Sequence, residues 1–301
     1  MGALQTPTAT HISIKNILFT TDFTQCSLTA LPFVVALGKR YGATVLVTHI
    51  LPAEMPTPLD SPPPEPEYDR RLALRDMAQL ERSGALGGVL HEAIVERGDF
   101  AAVLADLVSR RKADLIVAAT HGREGVRKMI LGSVAEQIFR TATCPVLTVG
   151  PHVTADVLSD GRFHRVLFAT DFSAGSLHAL PYAISLAQED HAQLTLLHAV
   201  HLGADTPIES AKPIYEEQMA ARSEAQLRQL IPRDAGLWAE PEILVRSGLP
   251  AEVIVKTAEE ERASIIIMGV HRARASAAHN PWAVAHHVVC DAHCPVLSVR
   301  G

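Results

Sequence analysis

The chain has 301 residues, 48% hydrophobic and 20% charged, with a net charge of -6 at pH 7, which suits two ordinary domains with packed cores. No apolar run approaches the roughly 18 residues that cross a bilayer, and four cysteines are too few for a disulfide framework. Basic and acidic side chains number 15 and 15 in residues 1–150 but 12 and 18 in 151–301, so neither half offers the basic face that DNA or RNA requires.

Met1-Gly2 with Thr6 fits a myristoylation pattern formally, but no basic cluster supports it. With no basic flank followed by an apolar stretch, a cytoplasmic protein without membrane association is expected. The first apolar run, ILFT, opens the segment ILFTTDFTQCSLTALP at 17–32. Further short runs rich in β-branched residues follow: TVLVTHI at 44–50, LIVAA at 115–119 and PVLTV at 145–149. Such runs suit strands buried on both faces of a parallel sheet. Helical spacing lies between them, as in Leu104, Leu107 and Val108, followed by Arg110, Arg111 and Lys112 where a helix C-terminus favours positive charge. The proline-rich stretch at 52–68 reads as an exposed loop that forms neither helix nor ladder, either a surface insertion or a flap near a ligand.

The same order then repeats. VLFATDFSAGSLHALP at 166–181 matches 17–32 at an offset of 149, and CPVLSV at 294–299 matches CPVLTV at 144–149 at an offset of 150. That spacing is far too long for a solenoid, so the chain is a duplicated domain. Each copy reads β-α-β-α-β-α-β-α-β, an open α/β sheet with crossover connections. The copies are expected at 12–150 and 162–301.

Ligands of open parallel sheets sit beyond the carboxyl ends of the strands, where the strand order reverses. In copy one, Thr20-Thr21-Asp22 and the turn beginning at Ala118 arrive there. Gly122, Gly125 and Gly132 with Ser133 punctuate that turn, and Arg123, Arg127 and Lys128 make it basic. Backbone N–H groups and a helix N-terminus could hold a phosphate; equally, the glycines could only supply positive φ or close packing. Neither a Walker motif nor GxGxxG occurs.

These residues resemble the universal stress proteins, one branch of which binds ATP through G-2x-G-9x-G-[ST]. Here the match is Ala119-2x-Gly122-9x-Gly132-Ser133, within THGR…LGSVAE…CPVL. The likeness spans both copies. It implies two five-stranded parallel sheets of order 3-2-1-4-5 flanked by helices and arranged as an internal pseudo-dimer, CPVLTV pairing with CPVLSV; a further homodimer is compatible with it. It also implies ATP or ADP in copy one, with Mg2+ that Asp22 could help hold, and an unknown protein partner. Thr20, Asp22, Ile50, Ala118, Ala119, Gly122, Gly132, Ser133 and Val134 would form the nucleotide site. Asp22 would lie near the ribose and Ile50 beside the adenine, with Gly122, Gly132, Ser133 and Val134 meeting the phosphates. Ala119 stands where the family has its first glycine. Copy two keeps Asp171 and Gly269, but Arg272 replaces the second glycine and Trp282-Ala283 the Gly-Ser pair, after Pro281; by this motif it does not bind ATP.

No metal site is expected. His286, Cys290 and Cys294 would share a helical face if the helix continued, but Cys294-Pro295 repeats Cys144-Pro145 and reads as buried. Cys26 would sit early in the first helix, with Ser27 and Ser176 in the opening turns of the two copies. His121 and His271 flank the two turns, where each could hold the loop by hydrogen bonding or touch a ligand, loop support being the preferred reading. No GxSxG elbow or HExxH occurs, so at most slow ATP hydrolysis is expected. The leading reading is a nucleotide-responsive stress regulator. The alternative is a nucleotide-free interaction protein whose glycine turn is vestigial.

Overall fold

The computed structural model describes residues 12–53, 66–120, 133–201, 212–232, 234–270 and 281–301. The chain divides into two compact units, Ser13–Pro151 and His152–Gly301. Ile12 belongs with the second, its N–H donating to Ser185 Oγ at 3.1 Å.

In the first unit the order is β1 (Asn16–Thr20), α1 (Gln25–Leu28), α2 (Leu31–Tyr41), β2 (Thr44–Pro52), α3 (Pro66–Arg82), β3 (Leu90–Gly98), α4 (Phe100–Arg111), β4 (Leu115–Ala119), α5 (Ser133–Thr141) and β5 (Val146–Val149). All described pairings are parallel, and the strands lie in the order β3-β2-β1-β4-β5. The second unit repeats this with β6 (Arg165–Ala169), α6 (Ala174–Leu177), α7 (Leu180–Asp190), β7 (Gln193–Val200), α8 (Lys212–Leu230), β8 (Glu242–Ser247), α9 (Pro250–Glu260), β9 (Ile265–Val270), α10 (Pro281–Asp291) and β10 (Val296–Arg300). Its order is β10-β9-β6-β7-β8. The α/β reading therefore stands in both copies.

Central strands are apolar on both faces because helices cover both: Ile17, Leu18 and Phe19 on β1 are fully buried, as is Phe168 on β6. In copy one, Leu18, Leu46 and Ile116 of the sheet pack with Leu104, Leu107 and Ile138 of α4 and α5. Helix α2 stops at Gly42 (φ +59°), and α7 stops at the same place with His191 (φ +55°), so the left-handed cap survives loss of the glycine. Pro66 opens α3, which corrects the loop expectation for 66–68: proline's fixed φ suits the first helical position, where no N–H is needed. At the other end Pro52 closes β2, in register with Gly98 of β3, so the ladder expectation is corrected there too; residues 54–65 of that stretch lie outside the described residues.

The edge strands β3 and β8 are half exposed and carry charge. On β3, Glu92 pairs with Arg111 and Glu96 with Arg110 of α4 (3.3 Å). Copy two keeps the second pair with its signs exchanged, Arg246 on β8 meeting Glu260 on α9. Exposed pairs of this kind add little stability; charge along an edge strand opposes pairing with other chains. Among the described residues no helix is long and apolar enough to cross a membrane.

Candidate functional site

The strand order reverses between β1 and β4, and both strands end at one site. Thr20 lies opposite Ala118 in the register, with Thr20 and Ala118 buried and Ala119 half-buried. Ile50, half-buried, lies on β2 two residues beyond Thr48, the register partner of Thr20. Five of the sequence-predicted residues, Thr20, Asp22, Ile50, Ala118 and Ala119, therefore stand at the carboxyl ends of three adjacent strands. Ser133 and Val134 open helix α5. Gly122 and Gly132 lie outside the described residues, as do His121 and His271.

The chain leaves β1 through a tight corner built by its own side chains. Phe23 takes φ +60°, a conformation that is uncommon for any residue but glycine. Thr21 Oγ1 accepts from the Phe23 N–H (2.9 Å) and bonds Ser27 Oγ (2.9 Å). Thr24 caps α1 by accepting from the Ser27 N–H, and Asp22 Oδ1 accepts from the Thr24 N–H (3.0 Å) and hydroxyl (2.5 Å). His49 Nδ1 lies 2.8 Å from the Thr21 carbonyl. A carbonyl only accepts, so Nδ1 carries the proton. The His49 ring stacks at a tilt on Phe23, 5.1 Å between centroids.

Copy two rebuilds the corner with the same hydrogen bonds, Ser173 standing in for Thr24. Thr170 bonds Ser176 (2.8 Å), Phe172 takes φ +61°, Asp171 accepts from the Ser173 N–H, and His198 Nδ1 lies 2.8 Å from the Thr170 carbonyl. His49 and His198 are site-shaping residues that the sequence reading passed over. Their signal was available as an identical histidine at the repeat offset. Ser27 and Ser176 do more than open a helix, since they also hold the threonines that shape the corner.

Burial pushes the Asp22 carboxyl upward, but hydrogen bonds from Thr24 and Ser27 outweigh it and hold the pKa below the ordinary carboxylate value. A carboxylate with a depressed folded-state pKa adds stability above its unfolded-state pKa, and loses it as pH falls through the folded-state value. Asp22→Asn is expected to lower stability at neutral pH, with the gap from wild type closing below about pH 4. Urea midpoints measured across pH check this; a gap independent of pH would contradict it.

The ends of α4 and α9 differ between copies. Asp99 caps α4, its Oδ1 accepting from the Ala102 N–H at 2.9 Å. The matching residue in copy two is Leu249, which makes no side-chain cap and is 50% exposed. Restoring the cap with Leu249→Asp is expected to stabilise the protein by about 1 kcal/mol, read as a raised urea midpoint.

The run of histidine and cysteine late in copy two is divided by the end of its helix. Helix α10 ends at Asp291, so Cys294 does not continue its face. Burial pushes the Cys294 thiol up to about 12 and that of Cys144 to about 11, and raises Cys290 as well. Burial of this kind is typical of structural cysteines. His287 instead bonds Asp291 (2.9 Å), and His293 bonds Glu259 (3.0 Å). Cys26 is exposed on α1.

The family model of the universal stress proteins matches residues 13–150 and again 162–300. A universal stress protein of Methanocaldococcus jannaschii is 32% identical over 144 residues, covering 45% of this chain and 81% of the relative. One from Thermus aquaticus is 30% identical over 135 residues, covering 45% and 98%. The crystal structure of a universal stress protein from Archaeoglobus fulgidus superposes with a TM-score of 0.67 at 20% identity, covering 95% of this chain and 98% of that one; at that identity the likeness concerns the fold. With the duplicated α/β unit and both family matches in hand, the chain belongs to the universal stress protein family and carries two of its domains in tandem.

Proposed function

We propose that this protein is a nucleotide-responsive stress regulator. Its first copy binds ATP or ADP, Mg2+ accompanies the phosphates with help from Asp22, and a protein partner reads the occupied form. The observation that carries this reading is the meeting of Thr20, Asp22, Ala118 and Ala119 at the ends of β1 and β4. Helix α5 then starts at Ser133, the last position of the Ala119-2x-Gly122-9x-Gly132-Ser133 spacing. A helix N-terminus favours an anion through its unpaired N–H groups. Alanines at 118 and 119 put nothing larger than a methyl group at the end of β4. Asp22, held ionised at neutral pH, suits contact with a ribose hydroxyl or a metal ion. Ile50 on the neighbouring strand would offer an apolar face to the base. No paired acid and base accompanies these groups among the described residues, so binding rather than rapid turnover is the activity assigned.

Copy two supplies the test, because it carries Trp282 where copy one has Gly132. Equilibrium dialysis of nucleotide-stripped protein against labelled ATP with Mg2+ is expected to retain one nucleotide per chain. Gly132→Trp, checked for native circular dichroism, is expected to retain none. Wild-type protein that retains no ATP would leave the nucleotide-free interaction protein as the better reading.

A further inference from the structure

We propose that the loop joining α8 to β8 carries a docking groove for a proline-rich segment, and that its occupant is the stretch 54–65 of a second copy of this chain. The proposal is independent of the nucleotide reading, because this loop leads into the amino end of β8, whereas the nucleotide is assigned to carboxyl ends of strands in copy one.

Trp238 is 73% exposed, yet the loop that carries it is tied down. Gln193 Nε2 donates to the Glu240 carbonyl (3.0 Å) and Gln188 Nε2 to the Ala235 carbonyl. The Ala235 N–H closes a turn on the Pro232 carbonyl (3.0 Å). The rings of His191 and Trp238 meet nearly at right angles, 5.2 Å between centroids. An aromatic surface ordered in advance spares the cost of ordering it on binding. Beside the indole lies a groove of about 800 Å³, with Ile231, Pro232 and Pro241 in its walls. Arg228 and Glu240, of opposite charge, also line it, and Arg233 lies outside the described residues. Recognition is therefore assigned to ring stacking and apolar contact, not to charge. Grooves with an aromatic wall are the usual receivers of proline-rich peptides, which dock with little loss of entropy because proline fixes φ.

The repeat singles out the occupant. Where copy two has IPRDAGLWAEP at 231–241, copy one has SGALGGV at 83–89, with neither tryptophan nor proline. Conversely, five of residues 54–65 are proline, three of them consecutive at 62–64, whereas the corresponding stretch of copy two, 201–211, has only Pro207. Each copy thus carries one half of a complementary pair. Trp238 is exposed in the very chain that carries the segment, so the docking is assigned between chains. Such a contact is heterologous, and two chains close it by exchanging segments reciprocally.

The test is light scattering of the full chain from about 1 µM to about 500 µM, the range of weak specific contacts. Wild type is expected to associate with rising concentration, and a peptide of residues 54–66 to dissociate it. Trp238→Ala, which alters an exposed side chain, is expected to weaken association roughly thirtyfold or more, the scale of a hot-spot tryptophan. Replacing Pro62, Pro63 and Pro64 together with alanine is expected to do the same. Mixed, the two variants are expected to pair one to one, since each supplies the half that the other lacks. A chain that stays monomeric throughout would overturn the proposal; if it still bound the peptide, the groove would serve a proline-rich segment of another protein. Association that the peptide does not compete, that survives Trp238→Ala unchanged, or that the mixed variants fail to restore would overturn it too.

Discussion

Replacing Gly269 with alanine is expected to destabilise the protein by about 3 kcal/mol, the upper part of the range for overpacking. A Cβ at this position would lie 2.3 Å from the Gly175 carbonyl oxygen and 2.3 Å from Ser176 Cα. Both contacts are backbone, so no change of rotamer relieves them. Helix α6 cannot easily step aside, because Ser176 is tied to Thr170 and capped by Ser173. Copy one has Cys26 and Ala119 at the same two positions, so a methyl group fits there. The reciprocal Ala119→Gly is therefore expected to cost about 1 kcal/mol or less, the usual strand penalty for glycine. Urea denaturation of the two variants side by side checks the asymmetry; equal effects would contradict it.

Phe168→Ala is expected to cost about 3–5 kcal/mol. Phe168 is fully buried on β6, with Leu196 of β7 and Ile267 of β9, both fully buried, as its register neighbours. A strand held by ladders on both sides cannot collapse into the space that the ring leaves, so the cavity persists. The same argument applies to Phe19 on β1, between Val47 and Val117. A loss below about 1 kcal/mol in either variant would mean that the core relaxes far more than such a sheet permits.

The central strands were legible because burial on both faces leaves continuous β-branched runs, as ILFT and LIVAA show. The edge strands were not. β3 reads LHEAIVERG and β8 reads EILVRS, sequences in which charge serves the exposed edge and breaks any apolar run. The split of the first helical segment into α1 and α2, with Pro32 in the first turn of the second, was also unread. Pro66 shows why composition misleads locally: among many prolines it marks a helix start instead of excluding one.

At the site, the repeat was the strongest signal, because it singled out Asp22 with Asp171 and the glycine turn with its altered counterpart. The self-bonded corner was less visible, since Thr21, Phe23 and His49 look like ordinary strand-end residues until their hydrogen bonds are seen.

The central claim is that the two copies have diverged, with nucleotide confined to the first. Its most direct test is calorimetric titration of the nucleotide-stripped full chain with ATP and Mg2+, in wild type and Gly132→Trp. One site per chain in the wild type, lost in the variant, is the expected result. Two sites per chain, binding that survives Gly132→Trp, or neither heat nor stabilisation by ATP would contradict the account.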